Sequence, residues 1–241
     1  MLGIQNKKRS ARRIILTILL TGLAIGSAPA AHAQTKEETL AKIITITASN
    51  LLDSAMHVRS ARAADFNEHI AAINQARPLE AANLDSAHVN QNISRTLNFI
   101  EYLKQYRASG KVFINQFEDS IFILVSNYPP VREKHLIKDL GDAYMADDKA
   151  FDKYVSALST IYSQVLDVLL FLHHTPYEVK NNAPEFRSAK DNGEYRKLVG
   201  QLDDLQKQAS SAAAASRKST AIVQKKLREF NKIESNDSSP Q

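Results

Sequence analysis

The stretch Glu194–Ile233, EYRKLVGQLDDLQKQASSAAAASRKSTAIVQKKLREFNKI, decides how this chain folds. Tyr195, Leu198, Leu202, Leu205, Ala209, Ala212, Ser216, Ser219, Val223, Lys226, Phe230 and Ile233 follow one another in steps of three and four. Only an α-helix gathers such positions on one face, and the alternating steps make that face a heptad seam. Its middle, Ser210 to Ser216, contains only Ser and Ala. Small residues let a neighbouring helix come close, but they bury little apolar area, so the core is expected to be weakest there. Lys226 falls in the seam phase, and the stripe is expected to slip onto Leu227.

Three more stretches of similar length carry the same period. Residues 36–76 open on Thr35-Lys36-Glu37-Glu38, a capping-box pattern, and place Leu40, Ile44, Leu51, Ala55, Val58, Phe66, Ile70 and Ile73 on one stripe before Pro78. Residues 85–127 carry Val89, Ile93, Leu97, Ile100 and Leu103, then Ile114, Phe117, Ile121 and Leu124. Gly110 lies in phase between these two sets, either as a close-packing point between helices or as a break. Ile121 to Val125, five apolar residues, reads as buried helix because its neighbours keep helical period, and Tyr128-Pro129-Pro130 stops it. Residues 131–173 carry Ile137, Leu140 and Tyr144, then Phe151, Val155, Leu158, Tyr162, Val165, Leu169 and Leu172. Unbroken, this helix would bury Asp147 or Asp148, and an unpaired buried carboxylate is costly. A break is therefore predicted, with one of the two aspartates as N-cap.

The fold expected is all-α: an elongated up-down-up-down bundle of about four long helices over residues 34–233, the fourth spanning 191–233. Residues 234–241 read as a disordered tail. The mature N-terminus, the 128–130 turn and the C-terminus would share one end of the bundle. The loops 77–84 and 174–190 would share the other.

Upstream, Lys7, Lys8, Arg9, Arg12 and Arg13 precede the apolar run Ile14–Ala24, which leads through Pro29 to Ala31-His32-Ala33. This is the pattern of a secretory signal peptide, residues 1–33, with cleavage expected after Ala33. Arg12-Arg13 sits in a poor twin-arginine context, so the general export route is expected, to the periplasm or outside the cell. The chain touches a membrane only if this segment is retained, since the apolar run is shorter than the ~20 residues of a spanning helix and no second long run is expected to cross. No cysteine follows the run, which excludes lipid attachment there.

Cleavage changes the charge. It removes five of the 31 Lys and Arg and none of the 26 Asp and Glu, leaving 208 residues with 26 charges of each sign. No net positive field remains to attract phosphates, so nucleic acid is not an expected partner. With no cysteine at all, the chain has no disulfide, thiol nucleophile or thiolate metal site, and packing must hold the fold.

No catalytic motif is present: no G-x-S-x-G, S-x-x-K, H-E-x-x-H or phosphate-cradling glycine loop. No catalytic, cofactor or metal residues are assigned. Asp53/His57 and Asp65/His69 are four apart, a spacing able to hold a divalent ion, but nothing supplies further ligands and the first pair lies off the apolar stripe. Met56-His57 is too little for haem ligation. Phe99, Tyr102, Tyr106, Phe113 and Phe117 cluster around Gly110 and are expected in the core, with a ligand cavity as the alternative. The segment 174–190 is long for a bundle connection. Its His174, Tyr177, Phe186 and Arg187 are the residues expected to touch a partner or ligand.

The expected function is that of an exported, non-enzymatic helical-bundle protein of the bacterial cell envelope, an interaction or scaffold module for a protein partner. The alternative is a periplasmic bundle that binds a small ligand or metal near the aromatic set or the 174–190 end. The Ala-rich seam is also compatible with pairing to a second copy.

Overall fold

The computed structural model describes residues 30–127 and 132–237. Among them the chain forms four long helices, α1 Ala30–Ala76, α2 Ser86–Asn127, α3 Arg132–His174 and α4 Ala189–Asp237. The other regular elements are a single 3-10 turn, Ala81–Asn83, and an antiparallel hairpin, β1 Tyr177–Lys180 and β2 Ala183–Phe186. Helices of 42 to 49 residues are about 63–74 Å long at the 1.5 Å rise of an α-helix.

Sequence period becomes packing in a simple way. The buried positions of α4, Leu202, Ala209, Ser216, Val223 and Phe230, recur every seven residues. Successive helices run antiparallel, with α3 packed along both α2 and α4 and closest to α4. The backbone of α1 stands farther from its neighbours and reaches them through longer side chains.

At the end where α2 passes to α3, Ile44, Leu52, Phe117, Ile137, Leu140 and Phe230 bring all four helices into one core. In the middle, Phe66, Phe99, Leu103, Tyr106 and Val155 join α1, α2 and α3. At the far end, Leu84, Val89, Val168, Leu169, Leu172, Phe186 and Leu202 close the bundle.

The helix ends have local causes. α1 stops where Arg77 takes a positive φ of 40° ahead of Pro78, and the Asn83 side-chain amide donates to the carbonyls of Ala76 (3.2 Å) and Arg77 (3.1 Å). α2 starts on Asp85, whose carboxylate accepts the backbone N–H groups of Ala87 and His88, both at 3.1 Å. Those hydrogen bonds hold the Asp85 carboxyl below its ordinary pKa. α4 starts on Ser188, whose Oγ accepts the Lys190 N–H at 3.1 Å.

Several expectations change. α1 begins at Ala30, so Thr35 lies inside the helix and not at its cap. Of the expected leader, residues 1–29 lie outside the described residues, as do the 128–131 turn and residues 238–241. α2 passes Gly110 without a break; a Cβ there would come within 2.6 Å of the Arg62 guanidinium, so this is the close-packing alternative.

α3 is also unbroken, and Asp147 is 0% exposed inside it, not a cap at its start. The penalty that argued for a break is met by side chains from other helices. α4 continues to Asp237, four residues past its expected end. The 174–190 connection is a hairpin and not an irregular loop. Its two-residue turn, Asn181-Asn182, has φ of 52° and 61°, the type I′ geometry that suits strand twist.

α3 is also more apolar than expected. An 18-residue window within Lys134–His174 has a mean hydropathy of 1.6, enough by length and composition to cross a membrane. α3 packs along both α2 and α4, and about a third of that apolar window is buried between them.

Gly141 marks a close approach of α3 to α2, where an added Cβ would lie 2.8 Å from the Ile121 γ2 methyl. Gly193 and Gly200 have open space around them. Gly141→Ala should therefore lose about 1–3 kcal/mol in urea denaturation. Gly200→Ala should gain about 0.5–1 kcal/mol through helix propensity.

Candidate functional site

The small residues of α4 leave a gap that larger ones would fill. Ala213, Ser216 and Ala221 face α1 across a cleft of about 540 Å³. That volume suits a small organic molecule. Phe66, Tyr106, Phe113, Phe151 and Tyr154 supply its aromatic surface from α1, α2 and α3. The aromatic set expected from the sequence is thus divided. Phe99, Phe117 and Tyr106 are buried core residues, and Tyr106, together with the half-buried Phe113, also lines the cleft.

Polar groups are set into this apolar surface. Arg59 of α1 pairs with the buried Asp147 carboxylate of α3 and donates to Thr220 Oγ1 of α4 at 3.0 Å. Thr220 in turn donates to Asp147 Oδ1 at 2.9 Å. One carboxylate thereby links three helices.

Tyr144 packs beside the pair, its ring 5.5 Å from the Arg59 guanidinium carbon, and its hydroxyl donates to the Ala55 carbonyl at 2.9 Å. Burial pushes the Tyr144 pKa up to about 12, so this donor keeps its proton.

Arg62 is held differently. Its guanidinium lies 4.4 Å from the Tyr106 ring centroid, and its nitrogens donate to the Tyr106 carbonyl (3.1 Å) and Ser109 Oγ (3.3 Å). All these partners are neutral. Asp148, beside the cleft, has no hydrogen bond or ion pair among the described residues. Burial raises its pKa against the pull of Arg62. The neighbouring Asp152 is instead clamped by Arg107 of α2 at 2.8 and 2.9 Å, which lowers its pKa. On α4, Arg217 lines the cleft with no hydrogen bond or ion pair among the described residues.

The residues expected to meet a partner lie elsewhere, at the hairpin end. Phe186 is buried, with its ring 5.3 Å from Phe171 and 5.4 Å from Tyr195. Tyr177 is half-buried and its hydroxyl donates to the Leu84 carbonyl. These two rings cap the core. His174 and Arg187 are exposed.

Surface hollows of about 440 and 820 Å³ flank the hairpin, but the Lys180 ammonium there is already satisfied by Glu178 and Glu185, both at 3.1 Å. Asp53 and His57 are exposed. Asp65 accepts the Tyr102 hydroxyl at 2.8 Å, and His69 stacks on Tyr102 with centroids 3.7 Å apart. Among the described residues no three His, Asp or Glu side chains are grouped to hold a metal ion.

Sequence reasoning missed Arg59, Arg62, Asp147, Asp148 and Arg217 as site residues. One signal was available: Asp147 and Asp148 interrupt the α3 stripe, and a charge in a buried phase implies a partner from elsewhere. No protein-family model, curated protein or solved structure matches the chain.

The Arg59–Asp147 pair sets up a test of stability. Arg59→Met strands a buried carboxylate and should cost about 3–5 kcal/mol in urea denaturation. Adding Asp147→Leu removes the stranded charge and should recover most of that loss. A double variant as unstable as the single one would show that the pair does not govern stability.

Proposed function

We propose that this chain is an exported, non-enzymatic binding protein of the cell envelope, and that the mid-bundle cleft is its small-ligand site. The single observation that carries this is the cleft itself. It is an open space of about 540 Å³ lined by aromatic rings and by polar and charged side chains in comparable number. Small-molecule sites combine these two kinds of lining. Export rests on the basic leader, apolar run and Ala31-His32-Ala33 at the start of the chain.

The interaction-module reading keeps one observation of its own. Phe122 of α2 is 71% exposed, and Leu40, Ile43 and Ile46 of α1 are each more than 40% exposed. These apolar side chains lie toward the end of the bundle where α2 passes to α3, and an apolar surface of that kind suits a protein partner.

Both parts of the leading proposal have direct tests. Protein recovered from the exported fraction should have the mass of a chain starting at Gln34; a chain confined to the cytoplasmic fraction and still carrying residues 1–33 would remove the export reading. Nile red, a neutral apolar dye, should brighten on binding the purified protein. Ala213→Leu, which fills the cleft from α4, should abolish the signal while helical circular dichroism stays unchanged and the melting temperature does not fall. Equal dye binding by the variant would place the site elsewhere.

A further inference from the structure

The charges around the cleft do not balance, and the imbalance has a direction. α1 contributes Arg59 and Arg62, α3 contributes Asp147 and Asp148, and α4 contributes Arg217. Arg59 and Asp147 neutralise each other at close range. That leaves two guanidinium groups, Arg62 and Arg217, against one free carboxylate, Asp148.

Arg62 is the more informative of the two. It is fixed by the Tyr106 ring, the Tyr106 carbonyl and Ser109, none of which carries charge. The guanidinium is therefore positioned without a carboxylate hydrogen-bonded or ion-paired to it, although its charge does act on Asp148.

Gly110 contributes independently to this arrangement. A Cβ at that position would come within 2.6 Å of Arg62 Nη2, so the absence of a side chain makes the room in which the guanidinium lies. A helix-interior glycine costs stability relative to alanine, and this one is retained where the arginine needs space. A fixed, planar guanidinium with no ion-paired carboxylate, beside an aromatic surface, is suited to bidentate recognition of a carboxylate.

Building on the ligand-site reading above, we propose that the cleft takes a small organic carboxylate with an apolar or aromatic body. Arg62 meets the anionic group, Arg217 adds positive field from the opposite wall, and the aromatic side chains receive the body. Gly110 is a positioning residue for Arg62 and has no contact with the ligand. Asp148 opposes the anion, which disfavours ligands bearing a second negative charge on its side of the cleft.

The test uses matched compounds that differ only in charge: phenylacetate, phenethylamine and phenylethanol, with octanoate, octylamine and octanol alongside. Binding to the purified protein is measured by titration calorimetry at neutral pH. At least one carboxylate should bind more tightly than its amine and alcohol counterparts. Arg62→Gln should weaken that carboxylate about 10–100-fold, the range expected for losing a charge-assisted hydrogen bond. It should leave the alcohol unaffected.

Asp148→Asn should tighten carboxylate binding. Gly110→Ala should keep the fold, since only the end of the Arg62 side chain has to move, yet weaken the carboxylate selectively. An amine or alcohol that binds as well as the carboxylate, or a carboxylate unaffected by Arg62→Gln, would overturn the anion assignment and leave an apolar ligand site. Binding by none of the six compounds would overturn both this inference and the ligand-site reading beneath it.

Discussion

A buried carboxylate constrains the whole molecule. Asp147 sits in the middle of α3 with no exposed surface, and its charge is answered by Arg59 from α1 and Thr220 from α4. Removing a charge from water costs several kcal/mol unless partners are supplied at close range. The arrangement therefore tolerates one relative placement of three long helices. Apolar stripes alone would permit one helix to slide along another, because neighbouring turns of Leu, Val and Ala look alike. An ion pair with a hydrogen-bonded hydroxyl does not.

The same pair borders the cleft. α3 and α4 approach closely because α4 carries Ala and Ser where they meet. That closeness leaves α4 with too little side-chain volume to reach α1. The gap is crossed by Arg59 and bordered by aromatic rings from the other helices. Close packing on one side of the small-residue segment and a cleft on the other have the same cause. Filling the gap with larger residues would bury more apolar area and strengthen the middle of the bundle, at the cost of the binding space.

The two ends of the bundle are finished differently. At the hairpin end, the Asn181-Asn182 turn reverses the chain tightly enough for Tyr177 and Phe186 to fold back over Leu84, Phe171 and Tyr195. This covers the helix ends with aromatic surface and fixes the connection between α3 and α4. The opposite end keeps Phe122, Ile43 and Ile46 on the outside. Aromatic side chains fold inward at the hairpin end, where Leu170 and Val179 nevertheless stay exposed.

Much of this could be read in the residues alone. The helix period recurs through four stretches, and their limits follow from Pro78, Asp85, Asn127 ahead of Tyr128-Pro129-Pro130, and Ser188, so the all-α bundle and its connectivity were legible. The alternation of Tyr177 to Phe186 around Asn181-Asn182 also carried a hairpin signal, obscured by the proline at 184 and the shortness of the strands. The site was far less legible. Arg62 and Gly110 are 48 positions apart, and Arg59 and Thr220 are 161 apart. Local periodicity says which face of a helix is apolar, because that depends on residues three and four apart on one helix. It cannot say which distant side chain will neutralise a charge on that face. The sequence itself determined the helices, their order and the apolar stripe of each. Only the assembled bundle decided that Asp147 could stay buried and that Arg62 would have no carboxylate paired to it, because both depend on which side chains the other helices bring within a few ångströms.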